Sequence, residues 1–173
     1  MLKMFTTQLS GLFKKITEQN EFAFEDGARL LAQAVVGSGA IHICGTGEMA
    51  AVAFEALEGA EPLLRAKKWS GFANVTPSDR VILLSRFSDD KDALELAKEL
   101  AQRNIPFVAV CTVVEGDGQE LSELADVVID LKLERGLLPD ENGNRIGYPG
   151  AIAALFAYHG LKFTLEEILE DYE

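Results

Sequence analysis

Apolar residues fall at helical spacing over the first twenty positions. Leu2, Phe5, Leu9, Leu12, Phe13 and Ile16 form one stripe on an otherwise polar helix. A second helical pattern runs from about Phe22 to Val36, with Ala28, Leu31, Ala34 and Val35 inward, and stops at Gly37-Ser38-Gly39. Strand and helix then alternate. Ala40–Cys44 reads as a strand, Gly45-Thr46-Gly47 as a turn and Glu48–Glu58 as a small-residue helix. A short strand is expected near Pro62–Lys67 and a buried one at Val81–Ser85. Asp89–Arg103 forms a helix with Ala93, Leu94, Leu96, Ala97, Leu100 and Ala101 inward, and Phe107–Cys111 the fourth strand. The loop Glu115–Gly118 leads to a short helix at Leu121–Leu124 and a last strand at Val127–Leu131. A polar loop, Pro139–Gly147, precedes one or two closing helices, Ala151–Tyr158 and Leu165–Tyr172, with Thr164 and Glu167 as a capping box for the second.

Strands that are apolar throughout and alternate with helices predict a parallel sheet covered on both faces. The expected fold is α/β: a doubly wound, five-stranded parallel sheet of order 2-1-3-4-5 within one domain, residues 1–173. Residues 1–39 are the helical lead-in, 40–131 the sheet core and 149–173 the closing helices.

Composition narrows the function. The chain has 173 residues, 48% hydrophobic and 25% charged, with a formal net charge of −12. That mix excludes a disordered chain. The acidic balance speaks against nucleic acid, whose partners displace phosphate counterions with basic groups. The densest basic cluster is Arg65-Ala66-Lys67-Lys68, and no apolar run approaches the ~20 residues of a membrane helix. The N-terminus lacks a secretory pattern and the two cysteines lack paired spacing, so a reduced, cytoplasmic protein is expected.

Candidate chemistry sits at strand ends. Gly45-Thr46-Gly47-Glu48-Met49-Ala50 follows the first strand, where backbone N–H groups meet an anion at a helix N-terminus. The spacing also satisfies G-x-G-x-x-A, a permissive dinucleotide pattern. A small dinucleotide-binding protein is the more distant alternative, since 39 residues precede the strand and no second nucleotide-binding half follows. Ser85-Arg86-Phe87-Ser88 ends the third strand. In the order 2-1-3-4-5 the loops after strands one and three flank the crevice where the connections reverse. Gly45, Thr46, Gly47, Ser85, Arg86 and Ser88 are therefore the candidate ligand contacts. A plain N-cap is the competing role for Ser88.

Together these segments resemble SIS (sugar isomerase) domains, most closely the short phosphoheptose-isomerase type. Two leading helices precede a strand and a G-x-G turn. Asp79–Ser85 resembles the family's second signature strand, and Leu121–Ile129 its leucine–alanine–aspartate approach to the last strand. The resemblance covers roughly residues 1–160. It implies a phosphosugar ligand, a homodimer or homotetramer, and sites near the subunit interface. The sequence departs from the pattern where Met49 replaces a phosphate-binding serine. Phe87, Ser88 and Asp90 replace the second serine, the glycine and the final hydroxyl of the usual S-x-S-G-x-S/T loop. Glu48, Asp89 and Asp90 would oppose a phosphate. One carboxylate ~6 Å away costs about 3 kcal/mol at an effective dielectric near 20, less if exposed.

The resemblance also implies acid–base residues on the helix after the turn and on the closing helix. Glu55 and Glu58 occupy the first and His159 the second; Glu58 and His159 are the candidate base and acid. The family's first-helix histidine and closing-helix glutamine are missing, so no metal site and no cofactor are expected. The chain reads as a phosphosugar-binding protein: either a divergent aldose–ketose isomerase or a non-catalytic binding or regulatory module. Several residues read as structural. His42 is a satisfied core histidine. Cys44 and Cys111, two strand spacings or about 9–10 Å apart, are small buried hydrophobes rather than a disulfide. Trp69 and the Arg65–Lys68 cluster pack at the sheet edge. The stripe on the first helix is the expected dimer surface.

Overall fold

The computed structural model describes residues 1–116 and 118–172. Asp117, in the Glu115–Gly118 loop, and Glu173 lie outside the described residues. Two helices lead, α1 (Leu2–Gln19) and α2 (Glu21–Val36), followed by β1 (Ile41–Gly45), a 3-10 turn (Gly47–Ala50) and α3 (Ala51–Glu58). Then come β2 (Ala66–Lys68), β3 (Arg80–Phe87), α4 (Lys91–Gln102), β4 (Phe107–Thr112), α5 (Leu121–Leu124) and β5 (Val127–Asp130). A hairpin of β6 (Leu138–Pro139) and β7 (Arg145–Ile146) precedes α6 (Gly150–Glu170). The five main strands are parallel, in the order β2-β1-β3-β4-β5.

Each central strand feeds two cores, because successive side chains alternate across the sheet. Ile41, Ile43, Ile82, Leu84, Val108, Val110 and Ile129 face α2, α3 and α6. Val81, Leu83, Phe107, Ala109 and Cys111 face α4 and α5. Gly27 lets α2 lie close to α6: a Cβ there would meet Leu161 Cδ2 at 2.9 Å. No helix among the described residues is long and apolar enough to cross a membrane.

Three expectations change, and the closing segment, left open between one and two helices, is one helix. Tyr158, Leu161 and Leu165 are buried on one continuous face, and that burial outweighs the roughly 1 kcal/mol cost of Gly160 in mid-helix. Thr164 therefore caps nothing; its hydroxyl donates to the Gly160 carbonyl at 2.9 Å. The polar loop 139–147 includes a hairpin turn, folded around Asp140, which accepts from the Asn142 and Asn144 N–H groups at 2.8 and 2.7 Å. Finally, the first helix turns much of its stripe onto its own chain. Leu12 and Ile16 are buried, and Phe13 stacks on Phe156 with centroids 4.2 Å apart. Exposed apolar surface remains at Leu2 and Met4 on α1 and at Ile152 and Phe163 on α6.

Trp69 and Cys111 take the structural positions expected of them, whereas neither ring nitrogen of His42 is hydrogen-bonded, against the satisfied core histidine expected, and Cys44 is only half-buried. His42 is buried on β1, and Trp69 packs edge-on against it and against Phe72. Both cysteines are free, on strands separated by β3. Burial pushes the Cys44 thiol up to about 11 and the Cys111 thiol up to about 12. Neither is a thiolate nucleophile at neutral pH.

Candidate functional site

The connections reverse between β1 and β3, and there the two candidate loops meet. The Thr46 N–H donates to the Leu84 carbonyl at 2.9 Å, tying the glycine turn to the end of β3. Gly45 is obligatory for close approach, since a Cβ would collide with the Met49 backbone carbonyl. Gly47 adopts φ +55°, a left-handed conformation that glycine takes without strain.

An irregularity in the β3–β4 pairing between Leu84 and Phe87 re-aims the second loop. It turns Ser85 inward and Arg86 outward. The Ser85 hydroxyl is fully buried and donates to the Phe87 carbonyl at 2.8 Å. Ser88 is equally buried. Its hydroxyl donates to Glu120 Oε2 at 3.1 Å and accepts from the Val114 N–H at 3.0 Å. It ties the loop after β3 to the segment after β4 and is not an N-cap. Asp90 caps α4 instead, accepting from the Ala93 N–H at 3.2 Å.

Arg86 does not stand free. Its Nε donates to Glu48 Oε1 and its Nη2 to Glu48 Oε2, both at 2.9 Å. The hydrogen bond from Arg86 is the main reason the Glu48 carboxyl lies below its ordinary range, and the same bond raises the guanidinium. Tyr148 lies beside the pair, its ring centroid 5.8 Å from the guanidinium carbon and its hydroxyl donating to the Leu133 carbonyl at 2.9 Å. Of the carboxylates that the sequence sets against a phosphate, Glu48 is the one that engages the cation, while Asp90 serves its helix.

The candidate acid–base residues sit elsewhere. His159 Nε2 lies 3.9 Å from Glu55 Oε1, so Glu55, not Glu58, is the carboxylate that the structure records beside it. At ~1.5 Å per residue, His159 lies about 13 Å along α6 from Gly150, where the helix passes Glu48. His159 instead lines a 580 Å³ apolar cavity with Phe24, Phe156 and Phe163. Among the described residues, no three His, Cys, Asp or Glu side chains come together in a way that could hold a metal ion.

Tyr148 and Glu120 are site residues that the sequence reading did not single out. The signal for Tyr148 was an aromatic residue just before Pro149-Gly150 at the start of a long helix. Nothing local marked Glu120 as the partner of a serine 32 positions earlier.

Comparison with known proteins fits this geometry. A Bacillus subtilis (strain 168) protein, "Uncharacterized protein YwjG", is 43% identical over 173 residues, covering 99% of each chain. The Vibrio vulnificus NanR protein complexed with ManNAc-6P superposes with a TM-score of 0.71 at 14% identity, over 99% of this chain and 64% of that one. A phosphoheptose isomerase from Francisella tularensis gives 0.63 at 13% identity, over 94% of each. The model of a domain of unknown function, DUF2529, matches residues 1–169, and so the chain belongs to the DUF2529 family and carries the SIS fold.

Proposed function

We propose that this protein binds a phosphosugar and recognises it without converting it. The observation that carries the reading is the meeting of the glycine turn with Arg86 at the switch point of the sheet, while His159, beside Glu55, lines a separate cavity. Gly45, Thr46 and Gly47 supply the backbone turn and Arg86 the cation. Ser85 and Ser88 hold the loop through internal hydrogen bonds rather than by touching ligand. Isomerisation between neighbouring carbons needs a base within hydrogen-bond reach of the proton it moves. His159, about 13 Å along α6 from the turn, does not stand beside a phosphate seated at Arg86.

The fold's similarity to a protein complexed with ManNAc-6P supports the choice of ligand class. A cytoplasmic setting belongs to the same reading. So does a homodimer, which would cover the exposed Ile152 and Phe163 on α6.

The experiment is calorimetry with ManNAc-6P, paired with proton NMR in deuterated water. Arg86→Ala should weaken binding at least tenfold. The C2 proton of glucose 6-phosphate and the C1 protons of sedoheptulose 7-phosphate, a 2-ketose, should persist in the presence of protein. Binding unchanged by Arg86→Ala would put the ligand elsewhere. Protein-dependent loss of either signal would make the protein an isomerase.

A further inference from the structure

The glycine turn and Arg86 make the parts of an anion site, and a carboxylate of the chain itself occupies it. Glu48 takes the guanidinium by two edges, Nε to Oε1 and Nη2 to Oε2, each at 2.9 Å. That fork is the arrangement with which arginine takes a phosphate. The start of α6 leaves room for it: a Cβ on Gly150 would stand 2.9 Å from Glu48 Oε1. Tyr148 flanks the guanidinium and is itself anchored by the Leu133 carbonyl. An exposed ion pair on a plain helix face contributes little. This one differs because it spans the two loops that define the crevice and uses up the charge a ligand would need.

We propose that Glu48 is a built-in competitor for the ligand anion, a latch that an incoming phosphate must displace from Arg86. The proposal rests on the phosphosugar reading for the natural ligand, but its mechanism concerns any phosphate at Arg86. A latch of this kind sets an affinity threshold, because it lowers the affinity of every anion at Arg86 by the same factor. An inorganic phosphate offers only the fork and falls below that threshold at low concentration. A phosphosugar adds contacts from its sugar and can exceed it. The Glu48 side chain, one residue beyond Gly47 at φ +55°, leaves by rotating about its own side-chain bonds, with no change in the turn.

The test measures inorganic phosphate and ManNAc-6P separately, by calorimetry, on wild type, Glu48→Gln, Glu48→Ala, Arg86→Ala and the Glu48→Gln/Arg86→Ala double variant. Thermal melts verify that each is folded. Glu48→Gln and Glu48→Ala should bind inorganic phosphate at least tenfold more tightly than wild type, and the double variant should lose the gain. Glu48→Gln should tighten ManNAc-6P by the same factor as inorganic phosphate, because both displace the same carboxylate. If freeing Arg86 leaves phosphate affinity unchanged, or if the gain survives in the double variant, the latch is wrong even where ManNAc-6P binds. If phosphate binding rises as expected but ManNAc-6P binds no better than phosphate to any variant, the latch stands and the phosphosugar reading fails.

Discussion

Asp79 offers the most direct test of how the sheet is held together. It begins the D-R-V-I-L-L-S segment, is only 7% exposed, and makes three hydrogen bonds. Oδ1 accepts from the Ala40 N–H at 2.7 Å, just before β1. Oδ2 accepts from the Thr76 N–H at 2.8 Å and the Thr76 hydroxyl at 3.2 Å. Asp79→Ala strands the Ala40 N–H in the interior, and an unsatisfied buried donor costs about 1–3 kcal/mol. Thr76 is exposed, so its donors recover water and their loss adds about 1 kcal/mol. The expected total is about 3 kcal/mol, a large share of the roughly 5–15 kcal/mol that holds a domain folded. For a chain of this length that is a fall of about 6–12 °C in Tm.

The same carboxylate gives the loss a pH signature. Burial raises the Asp79 pKa, but the Thr76 and Ala40 N–H groups, the Thr76 hydroxyl and the neighbouring His42 together outweigh it, and the net shift is downward. A depressed carboxylate contributes stability that is fully present above its unfolded pKa of about 3.9 and is lost as pH falls through the folded value. The gap between wild type and Asp79→Ala, read from urea midpoints, should therefore be widest near pH 7 and shrink below about pH 4. A loss under about 1 kcal/mol at pH 7 would refute the hydrogen-bond account. A gap that stays constant down to pH 3 would refute the ionic part of it.

Two further outcomes can be measured. His42 is 3% exposed with neither ring nitrogen hydrogen-bonded, and burial holds its pKa below the ordinary value despite Asp79 Oδ2 at 3.7 Å. The folded state thus resists protonation, so stability should fall as pH drops below about 6.5; His42→Leu should remove that part of the slope, and identical urea midpoints-versus-pH slopes in both proteins would refute the assignment. Light scattering at micromolar concentration should find a dimer that Ile152→Glu with Phe163→Glu turns into a folded monomer; a monomeric wild type would rule the interface out.

The legible parts of the sequence were those where one physical rule governs a whole element. Ile41, Ile43, Val81, Ile82, Leu83 and Leu84 are buried on both faces, so an unbroken apolar run could only be an interior strand. Strand order followed from the helical connections, and the crevice from the strand order. The illegible parts depend on contacts between distant positions. That α6 continues through Gly160 depends on Phe24 lying against that glycine, 2.7 Å from where a Cβ would stand. That Ser85 and Ser88 point inward depends on the irregular pairing of β3 with β4, and on Glu120 waiting 32 residues downstream. Glu55 rather than Glu58 meets His159 because of the phase of α3 against α6, which composition does not reveal.

The segments that made the family resemblance visible are structural. Asp79 in one signature accepts from the Ala40 N–H beside β1, and Asp126 in the other accepts from the Phe107 N–H of β4 at 2.9 Å. Both aspartates do the same work: each stands at the start of a strand, β3 or β5, and holds the start of the strand beside it. Such residues persist in a chain that keeps the sheet, whatever happens at the opposite end of the strands. The ligand loops are at that opposite end. There, Met49 is fully buried and a carboxylate is tied to the loop's cation. The family resemblance and the ligand chemistry therefore rest on different residues of the same strands. A change at Asp79 or Asp126 tests the fold and leaves the ligand question open. A change at Glu48 or Arg86, both at the surface and away from the sheet's cores, tests the ligand chemistry with the fold intact.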